Sequence, residues 1–178
     1  KPVAQILSPM KYGFVRIVLL NSTSAPLSFH VEVTALGYPS GTSVTPAAAY
    51  VTYNANINIP PQGTNTASSS CTVSSASKFS KLTTVSRKQS IQTSVIDGAA
   101  SGPQITILES TDWSSPVPAV RSASPFIQFT SGNMKVDCSF INTSGRTIRS
   151  GSSLETDETC QAVGYYFPAT TPIFCVNN

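Results

Sequence analysis

Charged residues are scarce in this chain of 178 residues, because lysine, arginine, aspartate and glutamate together make up only 11%. That is under half of their usual share. Serine and threonine take their place, with 28 and 20 residues. Threonine favours strands because its branched Cβ fits a pleated surface, and serine favours turns because its hydroxyl competes for main-chain groups. The composition therefore predicts an all-β protein with hydroxyl-rich surfaces and little or no helix.

Histidine is nearly absent, which removes the commonest catalytic base. The single histidine, His30, would have to serve any Ser-His-Asp triad, and the chain has no GxSxG nucleophile elbow. His30 lies two residues from Glu32 on the polar side of an alternating segment, so both are expected to face solvent. Glu155, Asp157 and Glu158 lack the spacing of a calcium loop and are expected in a solvated loop. We therefore expect no enzymatic activity and no cofactor.

Long apolar runs and concentrated basic charge are also lacking. The longest apolar run, 15–20, is interrupted by Arg16 and falls short of the roughly 18 residues of a membrane span. The net charge is +3, and its densest basic patch is the pair Arg87 and Lys88. Nucleic-acid binders usually present a concentrated basic face. Neither a membrane span nor a nucleic-acid partner is therefore expected.

Four cysteines occur, and no two of them form a CxxC pair. A zinc site needs clustered cysteine or histidine ligands, so no metal site is expected. An even number of cysteines in a charge-poor chain favours two disulfides and an oxidising, extracellular or cell-surface location. The favoured pairing is Cys160 with Cys175 as a local staple, which leaves Cys71 with Cys138. Two other connectivities, and four reduced thiols in the core, remain alternatives.

Alternation of apolar and polar residues is the clearest structural signal. It occurs at 27–35, 51–59 and 134–140, and predicts strands with one buried face. Seven weaker candidates bring the total to about ten short strands: 14–20, 81–85, 89–96, 104–108, 126–130, 164–167 and 173–176. The segments 64–77 and 110–125 are expected to be irregular. The pattern predicts a β-sandwich, immunoglobulin-like or jelly-roll.

Residues 1–13 form a mildly apolar arm ahead of the predicted sandwich domain, 14–178. An apolar arm is not stable in water, so it either pairs as an edge strand in its own domain or adds a strand to a neighbouring subunit. The second arrangement does not close when it is repeated head to tail, and it builds a fibre. The candidate donor-strand residues are Val3, Ile6, Leu7 and Met10.

Three further residues are candidate sites. Asn21 and Asn142 begin the sequons Asn-Ser-Thr and Asn-Thr-Ser in predicted turns, where a glycan is tolerated. Trp113 lies in a loop rich in serine and proline, where an exposed aromatic side chain can contact a glycan or a protein. The alternative role for Trp113 is to cap the open end of the sandwich.

These observations favour a structural subunit of an extracellular filament or pilus, assembled from copies of itself by β-strand complementation between subunits. Two alternatives remain open. One is a secreted adhesin or lectin-like module that binds surface glycans or proteins through Trp113. The other is a viral jelly-roll coat protein, although the chain lacks the basic arm that usually packages nucleic acid.

Overall fold

The computed structural model describes residues 1–6, 17, 19, 21, 23–98 and 101–177. Within these ranges the chain forms thirteen strands and no helix. The strands are β1 (Val3–Ala4), β2 (Thr45–Pro46), β3 (Ala48–Asn54), β4 (Asn58–Ile59), β5 (Gly63–Thr72), β6 (Lys78–Val85), β7 (Ser90–Asp97), β8 (Ile105–Ser110), β9 (Ala119–Val120), β10 (Asn133–Asn142), β11 (Ile148–Arg149), β12 (Gln161–Phe167) and β13 (Ile173–Asn177). The all-β class predicted from composition is confirmed.

Two sheets form a sandwich-like fold. One has the strand order β5-β10-β7-β8, and the other has the order β13-β3-β12-β6-β9. Neighbouring strands are antiparallel except for β13 and β3, which are parallel. Strand β5 contacts β13 and β3 of the opposite sheet, and β8 contacts β6. One side of the sandwich is therefore bounded by β5 and β13, and the other by β8 and β9.

The core lies between these sheets. Strand β10 supplies the inward residues that its alternation predicted, namely Met134, Val136, Cys138 and Phe140. The five-stranded sheet supplies an aromatic cluster in which the ring of Tyr50 meets those of Phe79 and Tyr166 edge-on at 5.4 and 5.5 Å. Burial, together with the neighbouring Tyr166, raises the pKa of Tyr50 to about 12. Its hydroxyl donates to the carbonyl of Thr72 at 3.0 Å, which ties the two sheets together.

One predicted strand, 51–59, is divided in two. The Asn54 side chain ends β3, because its Oδ1 accepts a hydrogen bond from the N–H of Asn56 at 2.7 Å and the chain leaves the strand there. The inward face of β3 consequently carries Thr52 and Asn54, whereas Val51 lies on the outer face. The predicted facing of this strand was wrong, because a side-chain turn shifts the alternation by one residue.

The hydroxyl-rich segment 64–77 was expected to be irregular, but most of it belongs to the ten-residue strand β5. Its inward positions Ala67, Ser69 and Cys71 are small and alternate with exposed residues. Small side chains fit where the two sheets approach closely. A search for alternating apolar residues does not recognise such small residues as inward-facing positions. Of the other candidates, 126–130 makes one isolated bridge, from Ile127 to Phe79. The segment 14–20 lies largely outside the described residues.

Both disulfides join one sheet to the other, in a pairing that differs from the favoured one. Cys71 pairs with Cys175, and Cys138 with Cys160, with Cα–Cα distances of 6.0 and 5.8 Å. Cys160 immediately precedes β12, and Cys175 lies in β13. Strand β3 separates β12 from β13, a gap of about 10 Å that exceeds the roughly 7 Å a disulfide spans. Cys71 lies opposite Met134, four residues along β10 from Cys138. A short separation in sequence therefore did not identify the paired cysteines in this protein.

The end of β7 is fixed to the neighbouring loop by a buried carboxylate, Asp97. Its two oxygens accept hydrogen bonds from the N–H and hydroxyl groups of Thr130 and Ser131, at 2.5 to 3.0 Å. Burial alone would raise the pKa of Asp97, but these four hydrogen bonds together outweigh it and hold the pKa below its ordinary value of 3.8. The folded state is therefore stabilised by the ionised form.

We expect Asp97→Asn to lower the free energy of unfolding at neutral pH by about 1–3 kcal/mol. The amide NH₂ that replaces one carboxylate oxygen cannot accept a hydrogen bond and would face the N–H and hydroxyl donors of Thr130 or Ser131. A lowered pKa means that the wild-type contribution is complete above the unfolded pKa and is lost as pH falls through the folded value. The wild type should thus lose more stability than the variant between pH 5 and strong acid, about pH 2. Urea unfolding across that range measures both. The control is Asp137→Asn on the outer face of β10, where a smaller change is expected; equal losses for the two variants would contradict this role of Asp97.

Candidate functional site

The most unusual feature of the molecule is an apolar segment that belongs to no sheet. Residues 26–39 lie outside every strand, and each residue from 23 to 43 is exposed. The segment exposes six large apolar side chains: Leu27, Phe29, Val31, Val33, Leu36 and Tyr38. Leu36 is 95% exposed. The prediction that 27–35 is a strand with a buried face is therefore wrong for the single chain.

The residues of this segment nevertheless carry the pattern of a half-buried strand. In an extended chain, side chains alternate between two faces. One face of 27–35 would be wholly apolar, and the other would carry Ser28, His30, Glu32 and Thr34. His30 and Glu32 are exposed, as predicted. The segment thus has the side chains of a sheet strand, but no strand among residues 1–6, 23–98 and 101–177 pairs with it.

The sandwich is open on the side of β8 and β9. A groove of about 360 Å³ lies there, lined by Thr106, Ile107, Ala119, Arg121, Pro125, Phe126, Ile127 and Gln128. Ile107 and Ala119 are partly buried against the core, and Ile127 is buried in it. In the described part of the chain β8 pairs only with β7. Among the residues that the structure describes, no main-chain hydrogen bond joins the outer edge of β8 to another strand.

The opposite side of the sandwich is closed. The Cys71–Cys175 disulfide joins β5 to β13 across the gap between the sheets. The Asn177 amide adds a hydrogen bond to the Ser70 carbonyl at 3.2 Å. Cys138 and Cys160 join β10 to the start of β12, nearer the middle of both sheets. Both covalent links thus lie away from β8.

The N-terminal arm begins by pairing within its own chain. Val3 and Ala4 form β1, which pairs in parallel with β2. The carbonyls of Pro2 and Ala4 accept hydrogen bonds from the N–H groups of Thr45 and Ala47, at 2.8 and 2.9 Å. Ile6 is 60% exposed. Leu7 and Met10, and the boundary between residues 13 and 14, lie outside the described residues. Exchange of this arm between copies stays a prediction.

The two sequons lie in different environments. Asn21 is exposed, and its Oδ1 accepts hydrogen bonds from the N–H and hydroxyl of Thr23. Asn142 is buried, and its Nδ2, the atom to which a glycan is attached, donates to the carbonyls of Ile59, Pro60 and Arg146. A glycan on Asn142 has no room in the folded domain, so that candidate site is incompatible with this structure. Asn21 stays a candidate.

Trp113 is 45% exposed in the loop between β8 and β9. The turn that contains Trp113 is held by Asp112, whose carboxylate accepts hydrogen bonds from the Ser114 hydroxyl and from the N–H groups of Ser114 and Ser115. These bonds hold the pKa of Asp112 below its ordinary value. Trp113 is thus presented on an ordered loop, as a ligand contact requires.

The acidic cluster near the C-terminus is not the solvated loop that was expected. Glu155 is exposed, but Glu158 is fully buried. Asp157 accepts a hydrogen bond from the N–H of Ser153, the largest influence that lowers its pKa. These carboxylates serve different turns and do not converge. Among the residues with described positions, no three histidine, cysteine, aspartate or glutamate side chains group as a metal site.

Comparison with known proteins gives no relative from which a function could be inferred, so the inference of function depends on the geometry of the structure. No protein-family model matches the chain, and no curated protein shows significant similarity to it. Across the described ranges, no helix has the length and apolar character needed to cross a membrane. The features that point to a function are therefore the unpaired segment and the open side of the sandwich.

Proposed function

We propose that this protein is the structural subunit of an extracellular filament, in which a strand from one copy completes the fold of the next. The observation that carries the proposal is the exposure of six large apolar side chains at 27–38, in a segment that pairs with no strand in the described part of the chain. Its composition is that of a sheet strand, so the structure that satisfies it is another sheet.

The physical argument is that this row is unstable in water. Burying a valine, leucine or phenylalanine side chain is favourable by about 1.5–3 kcal/mol relative to full exposure. Five of the six side chains are about half exposed in the single chain, and Leu36 is almost fully exposed. Exposed apolar rows of this kind usually mark an interaction site. Strand addition also satisfies the main-chain groups along the segment, which side-chain contacts alone do not.

Each copy carries one such segment and one open sandwich side, and the two are different surfaces. Contacts between different surfaces of identical subunits are heterologous, and they generate an open chain when the rotation does not close a ring. Repeated addition therefore produces a filament of one protein. The two disulfides fit an oxidising compartment, which supports an extracellular location, where a durable polymer of low charge can pack closely.

The assembly state of the purified chain tests this proposal. We expect the wild type to form polymers whose size grows with concentration in analytical ultracentrifugation, and to appear as filaments under negative stain. Phe29→Asp with Val31→Asp should leave monomers, because two charges would enter the apolar face. The matched control is His30→Asp with Thr34→Asp, which places the same charges on the polar face and should still polymerise. A wild type that stays monomeric at high concentration, or forms closed shells, would contradict the proposal.

An adhesin is the second candidate, and the half-exposed Trp113 on its ordered loop is the observation that favours it. Aromatic side chains presented in this way stack on sugar rings or anchor protein contacts. Binding of the wild type to a glycan array, lost on Trp113→Ala, would support this candidate. The two candidates are compatible if the filament is itself adhesive.

A further inference from the structure

We propose that the segment 27–35 of one copy adds to the outer edge of β8 in another copy, an edge that pairs with no described strand, and that its apolar face covers the groove between β8 and β9. This inference rests on the proposed function and names its acceptor surface. The four-stranded sheet thereby gains a fifth strand and matches the five strands of the opposite sheet.

Four strands lie at the edges of the two sheets: β5, β8, β9 and β13. Strands β5 and β13 bound the side that the Cys71–Cys175 disulfide closes, so an incoming strand cannot place side chains between the sheets there. Strand β9 is two residues long. Strand β8 has six residues and borders the open groove. It is the edge that offers both a main-chain ladder and a space for side chains.

Five of the eight residues that line the groove are apolar, and the polar ones are Thr106, Arg121 and Gln128. Ile107 of β8 and Ala119 of β9 are only partly buried, and Ile127 beneath them belongs to the buried core. Phe126 lines the same groove and packs edge-on against the buried Phe167 at 4.8 Å. An apolar side chain that enters here extends the existing core and does not create a new contact surface.

The segment matches this surface in its length and in the alternation of its apolar and polar side chains. Its nine residues, 27–35, exceed the six residues of β8, so the whole edge can pair. Leu27, Phe29, Val31 and Val33 then point toward the groove, and the alternate polar residues point to solvent, as in any strand with one buried face.

The donor comes from a second copy, because the single chain leaves its own segment outside the sandwich. Every residue from 23 to 43 is exposed while the groove is unfilled. Near the end of the segment, Tyr38 shares a surface pocket with Val3, Arg121 and Phe126. Tyr38 therefore lies near the groove of its own copy, whereas no residue of 27–35 lines that groove.

Mixing two defective variants tests the donor and the acceptor together. Phe29→Asp with Val31→Asp removes the donor and keeps the acceptor, whereas Ile107→Asp removes the acceptor and keeps the donor. Each is expected to be monomeric alone, and their mixture should form a 1:1 dimer and nothing larger in analytical ultracentrifugation. Circular dichroism checks that both are folded. The control Phe174→Asp changes a residue that is 69% exposed on the closed side, at β13, and should polymerise like the wild type.

Hydrogen exchange locates the acceptor without any change to β8. We expect the amides of Ile105–Ser110 to exchange more slowly in the wild-type polymer than in the Phe29→Asp, Val31→Asp monomer, and those of Ile173–Asn177 to be unchanged. Slowing at β13 and not at β8, or polymers of the Ile107→Asp variant, would overturn the acceptor while leaving the filament intact. A wild type that never polymerises, or a mixture that stays monomeric, would overturn strand exchange itself. Slow exchange of the amides of 27–35 in a wild-type monomer would also overturn strand exchange, because it would place the segment in the groove of its own copy.

Discussion

Replacing Cys71 and Cys175 together by alanine is expected to lower the free energy of unfolding by about 4.7 kcal/mol, the value for a closed loop of about 100 residues. This disulfide closes a sequence separation of 104, whereas Cys138–Cys160 closes 22. A loop of about 15 residues contributes about 3 kcal/mol. Loop entropy therefore predicts that the long-range disulfide is the stronger constraint, although it is the less buried of the two.

Urea unfolding of the two double-alanine variants measures the difference. The control is the wild type under reducing conditions, which should be less stable than either variant. Cys138 and Cys160 are both fully buried, so their replacement also leaves a cavity in the core. If Cys138→Ala with Cys160→Ala proves the more destabilising pair, core packing outweighs loop entropy in this protein, contrary to our expectation.

Glu158→Ala is expected to destabilise the fold by on the order of 4 kcal/mol, because it leaves one buried and two half-buried main-chain donors without their acceptor. The Glu158 carboxylate accepts hydrogen bonds from the N–H groups of Gln89, Arg87 and Thr159, at 2.7, 3.0 and 3.3 Å. It thereby fixes the turn through which β6 of one sheet passes to β7 of the other. The exposed Glu155 offers the control, and Glu155→Ala should change stability by less than about 0.5 kcal/mol.

The pH dependence of the same residue follows from its burial, which raises the pKa of Glu158 despite the three main-chain donors. A raised pKa means that the contribution of this group is complete below its unfolded pKa and is lost as pH rises through the folded value. We therefore expect Glu158→Gln, which does not titrate, to remove a loss of stability that the wild type shows above about pH 4.5. Thermal unfolding from pH 4 to 8 measures this, and parallel curves for the two proteins would contradict it.

Alternation predicted only part of the strand content, and β10 is the clearest success. Met134, Val136 and Phe140 of β10 illustrate this: each apolar residue of the pattern is buried. Strand β5 was not predicted, because its inward positions include Ala67 and Ser69. These residues fit the interior because they are small, and they do not form an apolar pattern. The facing of β3 escaped prediction because the turn at Asn54 shifts the alternation, which only the hydrogen bond to Asn56 reveals.

The candidate site was predictable in part. The apolar and polar faces of 27–35 are legible in the sequence, but alternation does not say which chain supplies the sheet. The groove could not be predicted, because Ile107, Ala119 and Ile127 come from three separate segments that only the strand order brings together. For the same reason the disulfide pairing was missed: Cys71 and Cys175 are neighbours through the sandwich and are 104 residues apart in the chain.

A cryo-electron microscopy reconstruction of the assembled protein tests the central claim most directly. We predict a filament in which continuous density for residues 27–35 leaves one copy and runs beside β8 of the next, with Phe29 and Val31 above Ile107. Density that keeps this segment on its own copy, in a filament whose subunits share no strand, would contradict the account.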